Sequence, residues 1–395
     1  MLFDPDSHER LTEAPWDEAR ARDAIAAIAA DAEVAFDDET LWPVHPLDED
    51  DDDPEPLLSP TGLYLGAAGV VWALDELAEV GGAEPSRDWR PVAAGLHERY
   101  LGRPDFGDAV PGLLAGESGI LLVAHRLAPS AEQEERLLAC VRTNVDNPAR
   151  ELLWGSPGTM LAAQVMLERT GDDSWADAWR ESADRLWDEW REELWQQELH
   201  GDSVHYLGPV HGFVGNVYVL ARGSLLDDER RAELERRTVA AIAAHARRED
   251  GLAQWPPGLE PPSRPQAVRT QWCHGAPGIV TSLASLAPGD DELTELLAAG
   301  GELTWLAGPL AKGPGLCHGT AGNGYAFLQL LERTADELWL DRARAFAMHA
   351  AEQVERMRRT HGRGRYSLWT GDVGAALYLW SCIAASAALP TLDRW

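Results

Sequence analysis

The sequence predicts an all-α protein, an α/α toroid (barrel) of seven helical hairpins whose inner helices start at Gly-x-x-Gly. Three observations carry that prediction. The phrase Gly-x-x-Gly occurs at Gly66–Gly69, Gly116–Gly119, Gly155–Gly158, Gly212–Gly215, Gly275–Gly278, Gly319–Gly322 and Gly371–Gly374. Each copy opens an apolar run with helical spacing, and longer, more polar helical segments lie between copies. No convincing strand series appears, because the few β-branched clusters are short and fall inside helical patterns. Successive first glycines are 39 to 63 residues apart. An interval of about 51 residues holds two helices of roughly 15 residues plus loops. Seven such hairpins close best as a ring with the apolar members inside; an open solenoid is the alternative, since repetition alone does not impose closure.

Along the chain, residues 1–60 hold the first outer helix and a solvated acidic stretch, Asp48–Asp53, ahead of Pro54. The inner helices read VVWALDEL from Val70, ILLVAHRL from Ile120, TMLAAQVML from Thr159 and AFLQLLERT from Ala326. Between the third and fourth copies, Trp175, Trp179, Leu186, Trp190 and Leu194 recur at steps of four and seven among Asp, Glu and Arg. That is the apolar stripe of an amphipathic outer helix. Trp255–Gln266 (WPPGLEPPSRPQ) cannot be helical, because its prolines remove donors and clash with the preceding turn; it is either a flap facing the substrate or a surface connection. Glycine suits the crowded inner rim, where the absence of a Cβ permits close backbone approach.

A chain of 395 residues could hold two or three units, but the repeats run through most of it and favour one domain over 1–395. Hydrophobic residues make up 45%, enough for a large core. The net charge of −32 repels phosphate backbones and anionic lipid, which argues against nucleic-acid and membrane-surface roles. Lys312 is the only lysine among the 34 basic residues. Acid excess with almost no lysine suggests a halophile's salt-rich cytoplasm, where salt screens carboxylate repulsion. The N-terminus, MLFDPDSHERL, has neither the basic nor the apolar region of a signal peptide. No stretch approaches the roughly 18 apolar residues of a membrane span. A soluble, cytoplasmic protein is expected. The cysteines, Cys140, Cys273, Cys317 and Cys382, form no CxxC pair and are too sparse for a disulfide framework.

Aligning the repeats exposes the chemistry. The residue before each first glycine is, in order, Leu65, Ala115, Trp154, His211, His274, His318 and Thr370. One position earlier stand Tyr64, Leu114, Leu153, Val210, Cys273, Cys317 and Trp369. Equivalent slots in a ring face one mouth, so consecutive repeats deliver histidines and cysteines to one place. Thiolate and imidazole together form a soft donor set that suits Zn²⁺. Spacing leaves two arrangements open: Cys273, His274, Cys317 and His318 as a closed structural site, or three ligands with a fourth position left for water or substrate. Cys140 and Cys382 fall within apolar helical runs and read as core.

QWCHGAPGIV (Gln271–Val280) and GLCHGTAGNGYAFL (Gly315–Leu328) closely resemble signature segments of the lanthionine synthetase C-like (LanC-like) family, especially its eukaryotic-type branch. The other Gly-x-x-Gly segments match that family's repeats, so the resemblance covers most of the chain. It implies a seven-hairpin α/α toroid, with Cys273, Cys317 and His318 as zinc ligands and His211 as general acid/base. Arg269 matches the family's active-site arginine. Glu151 stands where the lanthionine cyclases carry aspartate and other relatives carry glutamate. His274 replaces a tyrosine of the bacterial cyclases and reads as contacting substrate.

The implied function is zinc-dependent thioether formation, in which a thiol adds to a dehydroalanine or dehydrobutyrine residue of a peptide or protein. The chain has no room for a dehydratase, so lanthionine synthesis would require a separate one. The eukaryotic-type motifs favour addition of a small, glutathione-like thiol. A non-catalytic zinc-containing protein that binds thiol or peptide is the alternative. A toroidal glycosidase would need a carboxylate pair at equivalent inner positions, and none is seen.

Overall fold

The structure, a computed structural model, describes residues 2–49, 57–199, 201–260 and 268–395. Part of the acidic stretch Asp48–Asp53 and of the proline-rich segment Trp255–Gln266 therefore lies outside the described residues.

Inner and outer helices alternate along the chain. The outer members are α1 (Glu18–Ala35), α3 (Arg90–Gly102), α5 (Ala131–Thr143), α7 (Asp173–Glu189), α9 (Asp228–His245), α11 (Asp291–Ala307) and α13 (Leu338–His361). The inner members are α2 (Ala67–Glu79), α4 (Glu117–Leu127), α6 (Ser156–Thr170), α8 (Phe213–Ala221), α10 (Ala276–Leu283), α12 (Thr320–Thr334) and α14 (Asp372–Ala384). Each inner helix packs on the next, and α14 returns to α2. The ring is closed, and α1 lies on α14 across the seam. The open solenoid is thereby excluded.

The two helix types start differently. Asp17, Ser130, Asp172, Asp227 and Asp290 cap outer helices by accepting a backbone N–H of the first turn. Every inner helix instead has the first glycine of its motif at the cap and no side-chain cap. The preceding loop supplies the acceptor: the N–H groups of Ala67, Glu117, Phe213, Thr320 and Asp372 donate to the carbonyls of Pro60, Val110, Tyr206, Gly313 and Arg365, each seven residues back. This fold-back carries the slot residues to the rim.

The second glycine makes the fold-back possible. A Cβ on Gly278 would lie 1.8 Å from the Trp272 carbonyl oxygen, and one on Gly322 would lie 1.7 Å from that of Leu316. The same clash, with the carbonyl six residues earlier, recurs at all seven copies. Gly322→Ala is therefore expected to destabilise the protein by roughly 3 kcal/mol, the upper part of the overpacking range. Chemical denaturation would register this, and an unchanged midpoint would remove the steric explanation of the repeat.

Backbone hydrogen bonds also stitch the rim together. Tyr64 N donates to Leu114 O, Leu114 N to Leu153 O, Leu152 N to Val210 O, Cys273 N to Cys317 O, Cys317 N to Trp369 O, and Trp369 N to Tyr64 O. Neighbouring slots are thus tied to one another. At the junction of the fourth and fifth repeats Pro209 has no N–H to donate. There Gly208 approaches the Cys273 carbonyl so closely that a Cβ would be 2.2 Å from it.

Two details depart from the sequence expectation. Helix α7 stops at Glu189, with Trp190 as its C-cap, so Leu194 lies beyond it. Both remain buried. Trp190 leaves the helix to stack on Trp195 at 4.2 Å and to lie under the Arg237 guanidinium at 3.6 Å, so tertiary packing overrides the continued spacing. Short antiparallel hairpins also occur, β1 (Gln197–Leu199) with β2 (Asp202–Val204) and β3 (Arg247–Glu249) with β4 (Leu252–Gln254). Three-residue strands such as Arg247–Glu249 carry no apolar alternation by which a sequence could reveal them.

Candidate functional site

Cys273, Cys317 and His318 meet at the rim, their donor atoms all within 4.8 Å of one another. Two successive repeats provide them, tied by the bond from Cys273 N to Cys317 O. A tetrahedral zinc with bonds of about 2.1–2.3 Å holds its ligand atoms roughly 3.5–3.8 Å apart. The cluster approaches that spacing, and both its donor types and its burial fit zinc. The thiols are inequivalent. A hydrogen bond from Cys317, outweighing burial, holds the Cys273 thiol well below the usual range, while burial and the neighbouring Cys273 push Cys317 well above it.

Two side chains attend the sulfurs that spacing did not assign. Gln271 Nε2 donates to Cys273 Sγ at 2.9 Å. The Tyr64 hydroxyl lies within hydrogen-bonding reach of Cys317, and its phenol, stacked on Trp369, is held well above its usual pKa chiefly by burial. Tyr64 was visible in the slot alignment, but nothing in that alignment placed its hydroxyl on a thiol.

The fifth repeat has its own scaffold. Gly275 adopts φ 108°, a region open to glycine, and a Cβ there would lie 2.2 Å from the Arg269 carbonyl. The helix-start N–H of Ala276 donates to Gln254 Oε1 on β4 at 2.7 Å, and Gln254 Nε2 donates to Thr270 Oγ1 at 2.9 Å. Gln271 and His274 exchange backbone hydrogen bonds, which closes the loop around Cys273. The β3–β4 hairpin thus replaces the ordinary fold-back where the site loop is most tightly wound.

His274 does not join the donor cluster. Its ring packs against Tyr206 at 5.7 Å and His211 at 6.1 Å. Burial lowers its pKa to about 4, so it is neutral near pH 7. Of the four residues that spacing brought into question, Cys273, Cys317 and His318 form the gathered donor group, and His274 stands outside it.

His211 is held by Glu151. Its Nδ1 lies 3.0 Å from Glu151 Oε2, and its ring stacks on Trp154 at 5.9 Å. Glu151 is fully buried and accepts backbone N–H bonds from Leu153, Trp154 and Gly155 at 2.9, 2.6 and 3.1 Å. Those donors fix the carboxylate as an acceptor, so His211 Nδ1 carries the proton and Nε2 is left for chemistry. Burial pushes the imidazole down, but the bond to Glu151 and its charge outweigh it, leaving the His211 pKa above its ordinary value.

All seven residues singled out from sequence meet or adjoin one cleft of about 360 Å³. His211, Arg269, Cys273, His274, Cys317 and His318 line it, and Glu151 lies behind His211. Arg269 has no ion-pair partner among the described residues. Leu65, Ala115, Leu153, Trp154 and Phe106 supply apolar lining to the same cleft.

A closed ring of inner and outer helices, with a thiol–imidazole cluster and a carboxylate-held histidine at one mouth, defines a toroidal α/α protein whose rim carries a donor set of the kind that suits a soft metal. The lanthionine synthetase C-like protein family matches residues 58–393, and the chain belongs to that family. It is 30% identical over 260 residues to the zebrafish (Danio rerio) protein Glutathione S-transferase LANCL1, a match covering 59% of this chain and 62% of that protein. It is 36% identical over 116 residues to LanC-like protein GCL1 of Arabidopsis thaliana, covering 28% of this chain and 27% of that one. The chain thus matches less than two thirds of the length of these relatives. Nisin cyclase has the same fold, with a TM-score of 0.61 at 15% identity, covering 92% of this chain and 94% of that one. No described helix is long and apolar enough to cross a membrane.

Proposed function

We propose that the protein catalyses thioether formation, adding a small thiol to dehydroalanine or dehydrobutyrine residues of peptides or proteins. The observation that carries this reading is the shared cleft: a Cys273–Cys317–His318 donor set faces the same space as a Glu151-held His211 and the Arg269 guanidinium. Zinc held by that donor set would supply a Lewis-acid position at which an incoming thiol loses its proton.

The chain's own groups account for the remaining steps. Nε2 of His211 takes the thiol proton. The sulfur forms a bond to the β-carbon, and the C=C electrons move toward the α-carbon and its carbonyl. Arg269 stabilises the enolate oxygen that develops. His211 then returns the proton to the α-carbon, with Glu151 keeping the ring in the required tautomer. His274, neutral and buried beside His211, contacts the substrate without competing for the proton.

The resemblance to a protein named as a glutathione transferase favours glutathione as the thiol. Intramolecular ring closure on a peptide that a separate dehydratase has modified uses the same groups. The test is direct. Purified protein in high potassium chloride is incubated with a dehydroalanine peptide and glutathione, and the adduct is read by mass. Bound zinc without adduct across several thiols would replace the enzyme with a protein that only binds thiol or peptide.

A further inference from the structure

The cleft lining has two chemical characters. The slots of the fourth, fifth and sixth repeats contribute His211, His274 and His318; those of the first three contribute Leu65, Ala115 and Trp154, whose ring stacks on His211. Phe106 adds to the apolar lining, and it comes from outside the repeat slots, in the connection between α3 and α4.

Phe106 is 46% exposed and is not among the residues of the hydrophobic core. A large aromatic side chain left in water at a cleft mouth forgoes burial that it could otherwise have gained. Its backbone is nevertheless fixed. The neighbouring Asp105 accepts from Thr61 N at 2.8 Å, Thr61 Oγ1 at 3.1 Å and Gly62 N at 2.7 Å. These bonds pin the connection to the loop that carries Tyr64 and Leu65. A Cβ on Gly62 would lie 2.7 Å from Asp105 Oδ2, so the clamp uses a glycine as well. The connection is thus held so that a half-exposed ring lines the cleft that contains the donor cluster.

We propose that Phe106, with Leu65 and Trp154, is a specificity-determining wall that receives an apolar side chain adjacent to the reacting dehydroamino acid. The preferred electrophile is then a peptide segment with a residue such as leucine beside the electrophilic carbon, and not a free dehydroamino acid. This rests on the thioether-forming reading for the identity of the central residue. The histidines and the cysteine cluster are engaged by the reaction itself, which leaves the apolar lining to receive the rest of the peptide.

The test separates recognition from reaction. Unreactive peptides carrying alanine in place of dehydroalanine, and differing only in leucine or serine beside it, are titrated against the whole protein. Tryptophan fluorescence gives the dissociation constants. The leucine peptides are expected to bind about tenfold tighter, within the range that one apolar group provides. Phe106→Ala should bring the two within about twofold, and Phe106→Leu should restore most of the preference. Because the ring is half exposed, thermal denaturation should show both variants folded. Equal binding of leucine and serine peptides to the native protein would overturn the inference, as would a preference unchanged in Phe106→Ala. Turnover of the dehydroalanine counterparts reports separately on the reaction: leucine-selective binding without any adduct leaves the wall in place and removes the enzyme.

Discussion

Replacing Cys317 with alanine is expected to reduce bound zinc from one ion per chain to none after dialysis, and to lower turnover on the order of 10³-fold. The cysteine pair and His318 are the donor set that the described residues gather within 4.8 Å of one another. Removing one sulfur leaves two donors, and His274 does not stand in, because its ring is held against Tyr206 and His211. Without the metal, a thiol with a pKa near 8.5 is only a few per cent thiolate at neutral pH. Losing several kcal/mol of charge stabilisation corresponds to about three orders of magnitude in rate. Metal analysis and kinetics on the same preparation check both halves. Full zinc retention in Cys317→Ala, or in Cys273→Ala, would dissolve the ligand assignment. Secondary structure should survive, since the helix start of α12 is held by backbone bonds from Thr320 to Gly313 and from Ala321 to Pro314.

The second large effect concerns the proton. His211→Ala should lower kcat by about 10²–10⁴-fold, the usual worth of a positioned acid or base, with zinc content unchanged. Glu151→Gln separates charge from packing. Glu151 is what lifts His211 above its ordinary pKa against burial. An amide in its place removes the negative charge, so the imidazolium loses its proton at lower pH. His211 has to start neutral to take the thiol proton, so activity falls as pH drops through the pKa of His211. The acid limb of the pH–rate profile should therefore move to lower pH in Glu151→Gln. A limb that stays put would assign the titration to another group. Some stability should also go, about 1–3 kcal/mol, because three backbone N–H groups lose a carboxylate acceptor. The position of the limb, not the rate alone, is the informative reading.

Most of the ring was legible because its construction rule is local. Each inner helix needs a glycine where the chain folds back over a carbonyl six residues earlier, and that requirement repeats in sequence as it does in space. Cys273, Cys317 and His318 were legible for the same reason, since equivalent positions in equivalent repeats share a mouth. What escaped depends on contacts between distant segments. Asp105 and Thr61 are separated by an inner and an outer helix, and nothing near Phe106 in sequence announces that its loop is pinned. Gln254 caps Ala276 from another element. Glu151 was located by resemblance, but its role as a fixed acceptor emerged only from the three N–H groups around it. Helix α7 ended early because Trp190 found Trp195, a partner that helical periodicity does not encode.

Contact between α14 and both α1 and α2 gives the ring a consequence for assembly. An open helical array can form from one end and fray from either; a circuit cannot. Tyr64, whose hydroxyl is within hydrogen-bonding reach of Cys317, belongs to the first repeat, and the Trp369 carbonyl, which accepts from Cys317 N, belongs to the last. Both cysteines precede α14 in sequence, so their surroundings are complete only once the last hairpin has closed the circuit. Loss of that hairpin is therefore expected to abolish zinc retention even though it removes none of Cys273, Cys317 and His318.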